Sequence, residues 1–162
     1  SLLVQDGSYW NLKTDGTWYH FVITYDDRSD TSSGADRKVY VNGVLRQTDT
    51  FNWSDTGGGP SKGMYFGARN LGNSYNNGWA CGLDEVSIFN TAKDADWVSN
   101  TYNGGVPTDL QSESGLVGYW RFEEGKGTIV KDLSGEGNHG TFGAISGNTT
   151  ALPTWSSDTP LI

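Results

Sequence analysis

The sequence has little positive charge, one cysteine and one methionine. Its 11 lysines and arginines face 19 aspartates and glutamates, which gives a formal net charge of −8. Because a nucleic-acid-binding surface needs basic residues to neutralise phosphates, this balance argues against a nucleic-acid partner. The single cysteine, Cys81, excludes an internal disulfide, and we expect it to be a small buried hydrophobic residue. No apolar run approaches the ~20 residues of a membrane-spanning helix, so no membrane span is predicted.

Glycine and aromatic residues, by contrast, are abundant. The 162 residues include 23 glycines, 7 tryptophans, 8 tyrosines and 6 phenylalanines. This mixture is typical of short strands joined by tight turns and is unlike that of a helical bundle. The sequence therefore predicts an all-β fold of antiparallel strands, and its length suffices for a substantial core.

The clearest local signal is the Asn42-Gly43 pair, which separates two alternating apolar runs at residues 37–41 and 44–48. Both central residues of a type I′ turn need a positive φ, which asparagine and glycine adopt most readily. The sequence therefore predicts a β-hairpin centred on these two residues.

Aromatic and β-branched residues mark further strands. Residues 18–25 predict one strand, residues 63–68 a second and residues 116–123 a third. His20 lies in the first of these, and we expect it to be a half-buried strand histidine with no catalytic or metal-binding role.

Residues 78–90 hold the most informative strand prediction. Strand alternation places Asp84 on one face with Val86 and Ile88. An unpaired charge on an apolar face is costly, so Asp84 needs a cation or hydrogen-bond donors. Directly afterwards, Thr91 and an acidic residue three positions later predict the start of a short helix over residues 91–103.

Three polar loops, over residues 26–36, 52–62 and 69–78, offer groups that bind sugars. Aromatic rings stack on sugar rings, and amides form hydrogen bonds with hydroxyls. The same composition is typical of an ordinary asparagine-rich turn, so both interpretations stay open. The first loop carries four aspartates but lacks the spacing of an EF-hand, which favours a solvated loop over a calcium site. The candidate glycan-binding residues are Trp53, Asn70, Asn73, Tyr75, Asn76, Asn77 and Trp79.

Taken together, the order and spacing of these segments resemble the laminin-G-like, concanavalin A-like family. The resemblance covers most of residues 18–104 and implies an antiparallel β-sandwich of the jelly-roll type, with one short helix near residues 91–103. The segments that carry it are residues 18–25, 37–43, 64–67, 83–90 with Ala92, and 102–104.

The carboxy-terminal third departs from this order. Residues 118–125 and 132–140 resemble the opening of such a domain, whose strand at 119–122 would pair with the region of residues 78–90. We expect a sandwich over residues 1–110, whose amino-terminal strands look incomplete. Residues 111–162 would be either an extension packed on it or the start of a second copy, which would need ~150 residues. A segment of a larger protein, with a lost segment or a partner chain completing the sheets, is the favoured interpretation.

The resemblance implies a role for Asp84. In related jelly rolls, an aspartate at the start of this strand binds a structural calcium ion together with backbone carbonyls, which makes Asp84 the candidate Ca²⁺ ligand. The alternative is that Asp84 accepts backbone N–H bonds and binds no metal, and both interpretations stay open.

Catalysis is not expected. Glycoside hydrolases of this fold carry their carboxylates on alternate residues of one strand, so that they flank the scissile bond. Here the carboxylates occur as adjacent pairs, Asp84 with Glu85 and Glu123 with Glu124, and adjacent strand residues point to opposite faces. The sequence has no run that would place two of them together.

The resemblance leaves two non-catalytic functions. The favoured one is a structural module of a virion or an extracellular surface assembly, with other chains of that assembly as partners. The alternative is a carbohydrate- or receptor-binding adhesion module that contacts cell-surface glycans through its loops. Both imply an extracellular location or a virion surface, and the fold alone does not choose between them.

Overall fold

The computed structural model describes residues 16–26, 35–51, 64–66, 69–70, 75–76, 81–143 and 152–160. Within these residues the chain forms short strands, one α-helix (α1) and one 3-10 turn. Their bounds are β1 Phe21–Asp26, β2 Ala35–Val41, β3 Val44–Phe51, β4 Arg69–Asn70, β5 Tyr75–Asn76, β6 Val86–Phe89, α1 Ala95–Tyr102, the 3-10 turn Asn103–Gly105, β7 Leu116–Trp120, β8 Ile129–Val130 and β9 Gly140–Thr141.

All strand pairs in the described residues are antiparallel. Strands β1, β2 and β3 form one sheet in that order, and the pairs β4–β5, β6–β7 and β8–β9 form three two-stranded ladders. The described residues group into two compact units, one with β1–β3 and α1, the other with β4–β9. The predicted all-β, antiparallel fold class with one short helix is confirmed.

The β2–β3 hairpin forms at the predicted position. Asn42 and Gly43 have φ values of 50° and 74°, as a type I′ turn requires. The Asn42 side chain accepts the backbone N–H of His20 at 3.0 Å, and the backbone N–H of Asn42 donates to the His20 carbonyl at 2.9 Å. The turn therefore also fixes the chain where it enters β1.

His20 lies just before β1 and is half-buried, as expected. Its ring stacks on that of Tyr102 from α1, with centroids 6.0 Å apart. Burial lowers the pKa of His20, because the charged imidazolium loses solvation there. In the same unit, Val98 of α1 and the β2 residues Val39 and Val41 are buried and form the core.

Helix α1 begins later than predicted. Asp94, not Thr91, is its N-cap, and the Asp94 carboxylate accepts the backbone N–H of Trp97 at 2.8 Å. The acidic residue that was expected three positions inside the helix is itself the cap, and aspartate is a stronger N-cap than threonine. At its other end the helix stops at Asn103 in the left-handed conformation, followed by Gly104 with a φ of 67°.

The unit that contains β4–β9 has its core along β7. Strand β7 pairs with β6 in a register that opposes Val86 to Trp120 and Ser87 to Tyr119. This pairing confirms that Tyr119 and Trp120 join the region of residues 78–90, but β7 ends at Trp120, so residues 121–123 lie outside the strand predicted over residues 116–123. The buried apolar residues of this unit are Leu110, Leu116, Tyr119, Trp120 and Val130.

Three further sequence-based predictions are wrong in whole or in part. Strand β1 begins at Phe21, so residues 18–20 lie outside it, and residues 64–66 are not in a strand. Cys81 is exposed instead of buried, because β6 begins only at Val86 and Cys81 therefore lies outside the strand that was expected to bury it.

Candidate functional site

Asp84 lies two residues before β6 and is half-buried. One of its carboxylate oxygens accepts the backbone N–H of Glu85 at 3.0 Å. Burial raises the pKa of Asp84 to about 6. The backbone bond from Glu85 and the Arg121 guanidinium oppose this rise, and the carboxylates of Glu85 and Glu123 reinforce it. Asp84 is therefore a carboxylate whose charge the fold compensates only in part.

Glu85 interrupts the strand that was predicted to contain Asp84. Its φ is 51°, a left-handed value that non-glycine residues rarely adopt. The alternation of Asp84 with Val86 is therefore broken, and in the described part of residues 78–90 the predicted strand covers only Val86–Phe89. The Glu85 side chain explains the bend, since its carboxylate accepts hydrogen bonds from Tyr119 Oη and from Arg121 Nε.

Tyr119 and Arg121 tie the start of β6 to the end of β7. The Arg121 Nε lies 3.0 Å from Glu85 Oε1, and an Arg121 Nη lies 3.7 Å from Glu123 Oε1. Tyr119 is fully buried, and burial, together with its bond to Glu85, raises the pKa of Tyr119. We call Asp84, Glu85, Tyr119, Arg121 and Glu123 the strand-end cluster.

The hydrogen bonds of the strand-end cluster hold the start of β6 to the end of β7. Both carboxylate oxygens of Glu85 are engaged, one by the Tyr119 hydroxyl and the other by Arg121. Each oxygen of this carboxylate is thus bonded to a donor within the fold. Phe122 has a φ of 58°, so a left-handed non-glycine residue stands directly before β6, at Glu85, and another two residues after β7, at Phe122.

The fit of the expected calcium ion to Asp84 is partial. Among the described residues, no group of three or more His, Cys, Asp or Glu side chains is arranged to hold a metal ion. Calcium takes 6–8 oxygen ligands, so Asp84 would need main-chain carbonyls and water to complete the set. Its carboxylate is of the right chemical type, and a bound cation would offset the burial that raises its pKa.

A second carboxylate, Asp132, organises the loop after β8. Its Oδ1 accepts the backbone N–H groups of Tyr119 and Ser134, both at 2.9 Å. Its Oδ2 accepts the Ser134 hydroxyl at 2.9 Å and the backbone N–H of Asn138 at 2.8 Å. Burial works to raise the pKa of Asp132, but these four bonds outweigh it and lower the pKa to about 2.

Residues 132–139, which we call the Asp132 loop, also form hydrogen bonds with β7 near their carboxy-terminal end. The Asn138 amide donates to the Val117 carbonyl at 2.9 Å, and the Trp120 indole N–H donates to the Asn138 carbonyl at 2.9 Å. The backbone N–H of Asp132 donates to His139 Nδ1 at 3.0 Å. Residues 132–140 carried part of the family resemblance, but no role was predicted for Asp132; the signal for one is Asp132 followed two positions later by serine, a pattern typical of side-chain-capped turns.

The structure brings three of the predicted glycan-binding residues together. Strands β4 and β5 form a two-residue hairpin in which Asn70 opposes Tyr75 and Arg69 opposes Asn76. Opposed residues of an antiparallel pair have Cα atoms about 5 Å apart, so these three lie close together. The remaining candidates lie outside the described residues; they are Trp53, Asn73, Asn77 and Trp79.

Comparison with known proteins identifies the family. The Laminin_G_3 family model, described as "Concanavalin A-like lectin/glucanases superfamily", matches residues 6–99. A search of curated proteins found no match.

Two solved structures are similar to this chain. The first is that of a "putative carbohydrate binding protein" from Bacteroides ovatus, with a TM-score of 0.59, 20% sequence identity and coverage of 90% of this chain and 38% of that one. The second, an S-layer domain-containing protein from Clostridium thermocellum, has a TM-score of 0.44 at 25% identity, over 56% of this chain and 42% of that one. This chain thus spans less than half of either. Because the sequence identity is only 20%, the similarity to the Bacteroides ovatus structure supports the fold alone.

No helix within the described parts of the chain combines the length and the apolar character that crossing a membrane requires.

Proposed function

Because the chain belongs to the concanavalin A-like lectin/glucanases superfamily, we propose that it is a non-catalytic carbohydrate-binding module of an extracellular protein. The family hosts both sugar-binding and sugar-cleaving proteins by its description, so the residues of this chain must decide between them. The carbohydrate-binding description of the Bacteroides ovatus protein agrees with the first of these.

The β4–β5 hairpin is the observation that carries the proposal. Its register places Asn70 opposite Tyr75, with Asn76 next along the strand. Directly opposed residues of an antiparallel pair share one face of the ladder, so this register sets a tyrosine beside an asparagine, the residue types that stack on sugar rings and bond sugar hydroxyls. A two-residue ladder also fixes the relative positions of these backbones before a ligand arrives, which reduces the entropic cost of binding.

The bonding of the acidic residues supports a non-catalytic role. A glycoside hydrolase needs one carboxylic acid and one carboxylate on either side of the bond to be cleaved. Glu85 is held by Tyr119 and Arg121, and Glu124 Oε1 accepts the backbone N–H of Lys131 at 2.8 Å. These carboxylates serve the fold, so we expect no hydrolysis of bound glycans.

The proposal is tested by binding to a glycan array, followed by calorimetry with the best neutral oligosaccharide. We expect Tyr75→Ala to weaken binding about fivefold, since a stacked aromatic contributes about 1 kcal/mol. Tyr75→Phe, which keeps the ring, should bind like the wild type. The control is Tyr25→Ala, which removes an exposed tyrosine of β1 and should leave binding unchanged. An array with no binder, or equal effects of the two alanine variants, would refute the proposal.

A structural role in a virion or extracellular surface assembly is the second candidate. It is favoured by exposed apolar side chains in the β1–β3 sheet, where Ile23, Val44 and Leu45 are about half exposed. Stable protein interfaces bury more than ~1,000 Å², and such residues supply their apolar centre. Light scattering tests this candidate: a purely monomeric chain at high concentration, unchanged by Ile23→Ser, would count against assembly through this sheet.

We further propose that a calcium ion bound at Asp84 stabilises the fold of this binding module. Without the ion, the raised pKa of Asp84 means that the fold loses stability as the pH rises from about 4 to about 6. Asp84→Asn should then stabilise the protein at pH 7 in chelator by about 1 kcal/mol, after allowance for solvent screening. Calcium at 100 times its Kd would stabilise the wild type by about 2.7 kcal/mol and leave Asp84→Asn unaffected. Identical wild-type melting temperatures in calcium and chelator would exclude the site.

A further inference from the structure

An exposed segment of one methionine and two aromatic residues precedes the β4–β5 hairpin. Met64, Tyr65 and Phe66 are 67%, 46% and 40% exposed. Three consecutive large side chains this accessible are unusual next to a packed core, and the core does not account for them. Phe66 packs edge-on against Trp120, with ring centroids 5.3 Å apart, so part of its ring faces the protein and part faces solvent.

Trp120 gives Phe66 a rigid base. Its indole N–H donates to the Asn138 carbonyl at 2.9 Å, and the residue is only 7% exposed. The indole also lies directly over Gly118, where an added Cβ would come within 2.4 Å of the ring. A ring fixed by a hydrogen bond at one edge and by the backbone beneath it holds Phe66 in place. Stacking on Phe66 would then cost little conformational entropy.

The Asp132 loop places polar groups beside the packed rings of Phe66 and Trp120. Phe66 and Asn138 both contact the same indole, and Asn138 and His139 are exposed. His139 Nδ1 accepts the backbone N–H of Asp132, so in the neutral ring the proton lies on Nε2, which can donate to a ligand. The bonds of Asp132 hold this loop in one conformation, as a pre-formed binding surface requires.

We propose that Phe66, with Asn138 and His139, forms a second saccharide subsite adjoining the β4–β5 hairpin, and that one neutral oligosaccharide occupies both. The inference rests on the proposed function and extends it. Two residues separate Phe66 from Arg69, so their Cα atoms are three steps and at most about 11 Å apart, within the reach of an oligosaccharide. A net charge of −8 opposes sulfated and uronic acid-rich glycans, which makes a neutral ligand the better fit.

A protein partner fits this surface less well. A patch of three side chains is far smaller than the ~1,000 Å² that a stable protein interface buries. Its flank consists of an amide and an imidazole on a fixed loop, which suits the dense hydroxyl groups of a sugar.

The experiment measures, by calorimetry on the full chain, the affinities of cellotriose, cellohexaose and xylohexaose, with heparin as the anionic probe. We expect the better hexasaccharide to bind the wild type about tenfold more tightly than the trisaccharide, because only the longer chain reaches both subsites. In Phe66→Leu, which keeps an apolar side chain against Trp120, this length advantage should disappear. Phe66→Tyr should restore it. Unchanged tryptophan fluorescence and melting temperature would show that both variants are folded.

The outcomes separate the inference from the function on which it rests. If Tyr75→Ala weakens all lengths while Phe66→Leu keeps the length advantage, the second subsite is wrong and the proposed function stands. If Phe66→Leu alone weakens binding, the hairpin is not the primary site, and the inference that one oligosaccharide occupies both subsites is wrong. Failure of both hexasaccharides to bind, tighter binding of heparin, or a change of oligomeric state on mutation of Phe66 would each overturn the inference.

Discussion

The substitution Asp132→Asn tests whether one carboxylate holds the Asp132 loop on β7. The side chain keeps its shape, so packing is preserved while the charge is removed. Asp132 Oδ1 faces two backbone N–H groups, whereas Oδ2 faces one backbone N–H and the rotatable Ser134 hydroxyl. The new amide nitrogen should therefore occupy the Oδ2 position. There the hydroxyl can turn to accept from it, and the N–H of Asn138 loses its acceptor.

The expected cost follows from these bonds. Leaving one buried donor unpaired costs about 1–3 kcal/mol, and the remaining bonds weaken because their acceptor is no longer charged. We expect Asp132→Asn to lower the free energy of unfolding at pH 7 by about 2–4 kcal/mol. The control is Glu136→Gln, which removes an exposed charge from the same loop and should change the free energy by less than about 0.5 kcal/mol.

The pH dependence gives an independent readout. The pKa of Asp132 falls from 3.8 to about 2 on folding, so the stability it contributes is present above about pH 4 and is lost as the pH falls towards 2. The difference corresponds to at most about 2 kcal/mol, which Asp132→Asn should remove from the acid limb of the profile. Urea unfolding, followed by tryptophan fluorescence from pH 2 to pH 7, measures both effects. Equal stability of wild type and variant, with the same acid limb, would show that the loop does not depend on this carboxylate.

Two other substitutions probe the remaining contacts. Tyr119→Phe removes the hydroxyl that bonds Glu85 and leaves the buried ring in place, so we expect a loss of about 1–2 kcal/mol in urea unfolding; no loss would mean that Arg121 alone satisfies Glu85. Gly43→Ala forces a methyl group onto a φ of 74° and to within 3.2 Å of the Tyr102 ring. It should cost more in thermal unfolding than Gly16→Ala, where φ is 86° and nothing lies within 4 Å; equal costs would show that the contact with Tyr102 is unimportant.

Local chemistry made the β2–β3 hairpin predictable. A type I′ turn depends on two adjacent residues, and Asn42 and Gly43 satisfy it whatever surrounds them. The end of α1 is equally local, since Gly104 is a good residue for a left-handed C-terminus. The start of α1 was predicted three residues too early, because Thr91 also fits a cap position by sequence and only the folded chain shows that Asp94 is used.

Contacts distant in sequence account for what could not be predicted. Alternation placed Asp84 on the strand, but Glu85 turns away to reach Tyr119 and Arg121, which are 34 and 36 residues further along the chain. No local pattern reveals such partners. The same holds for Asp132, whose partner Tyr119 lies on another strand. For the glycan-binding candidates, sequence identified the residue types, and the β4–β5 register then brought three of them together.

Tyr119 bears on the proposed division of the chain at residue 110. Its backbone N–H donates to Asp132, its carbonyl accepts from Leu133 at 2.8 Å, and its hydroxyl donates to Glu85. One buried residue of the carboxy-terminal piece is therefore bonded both to its own loop and to the start of β6. A boundary at 110 would separate these partners and leave β6 without β7, exposing an unpaired strand edge that favours association. These bonds join residues 119–133 to the start of β6, and the two interpretations of residues 111–162 stay predictions.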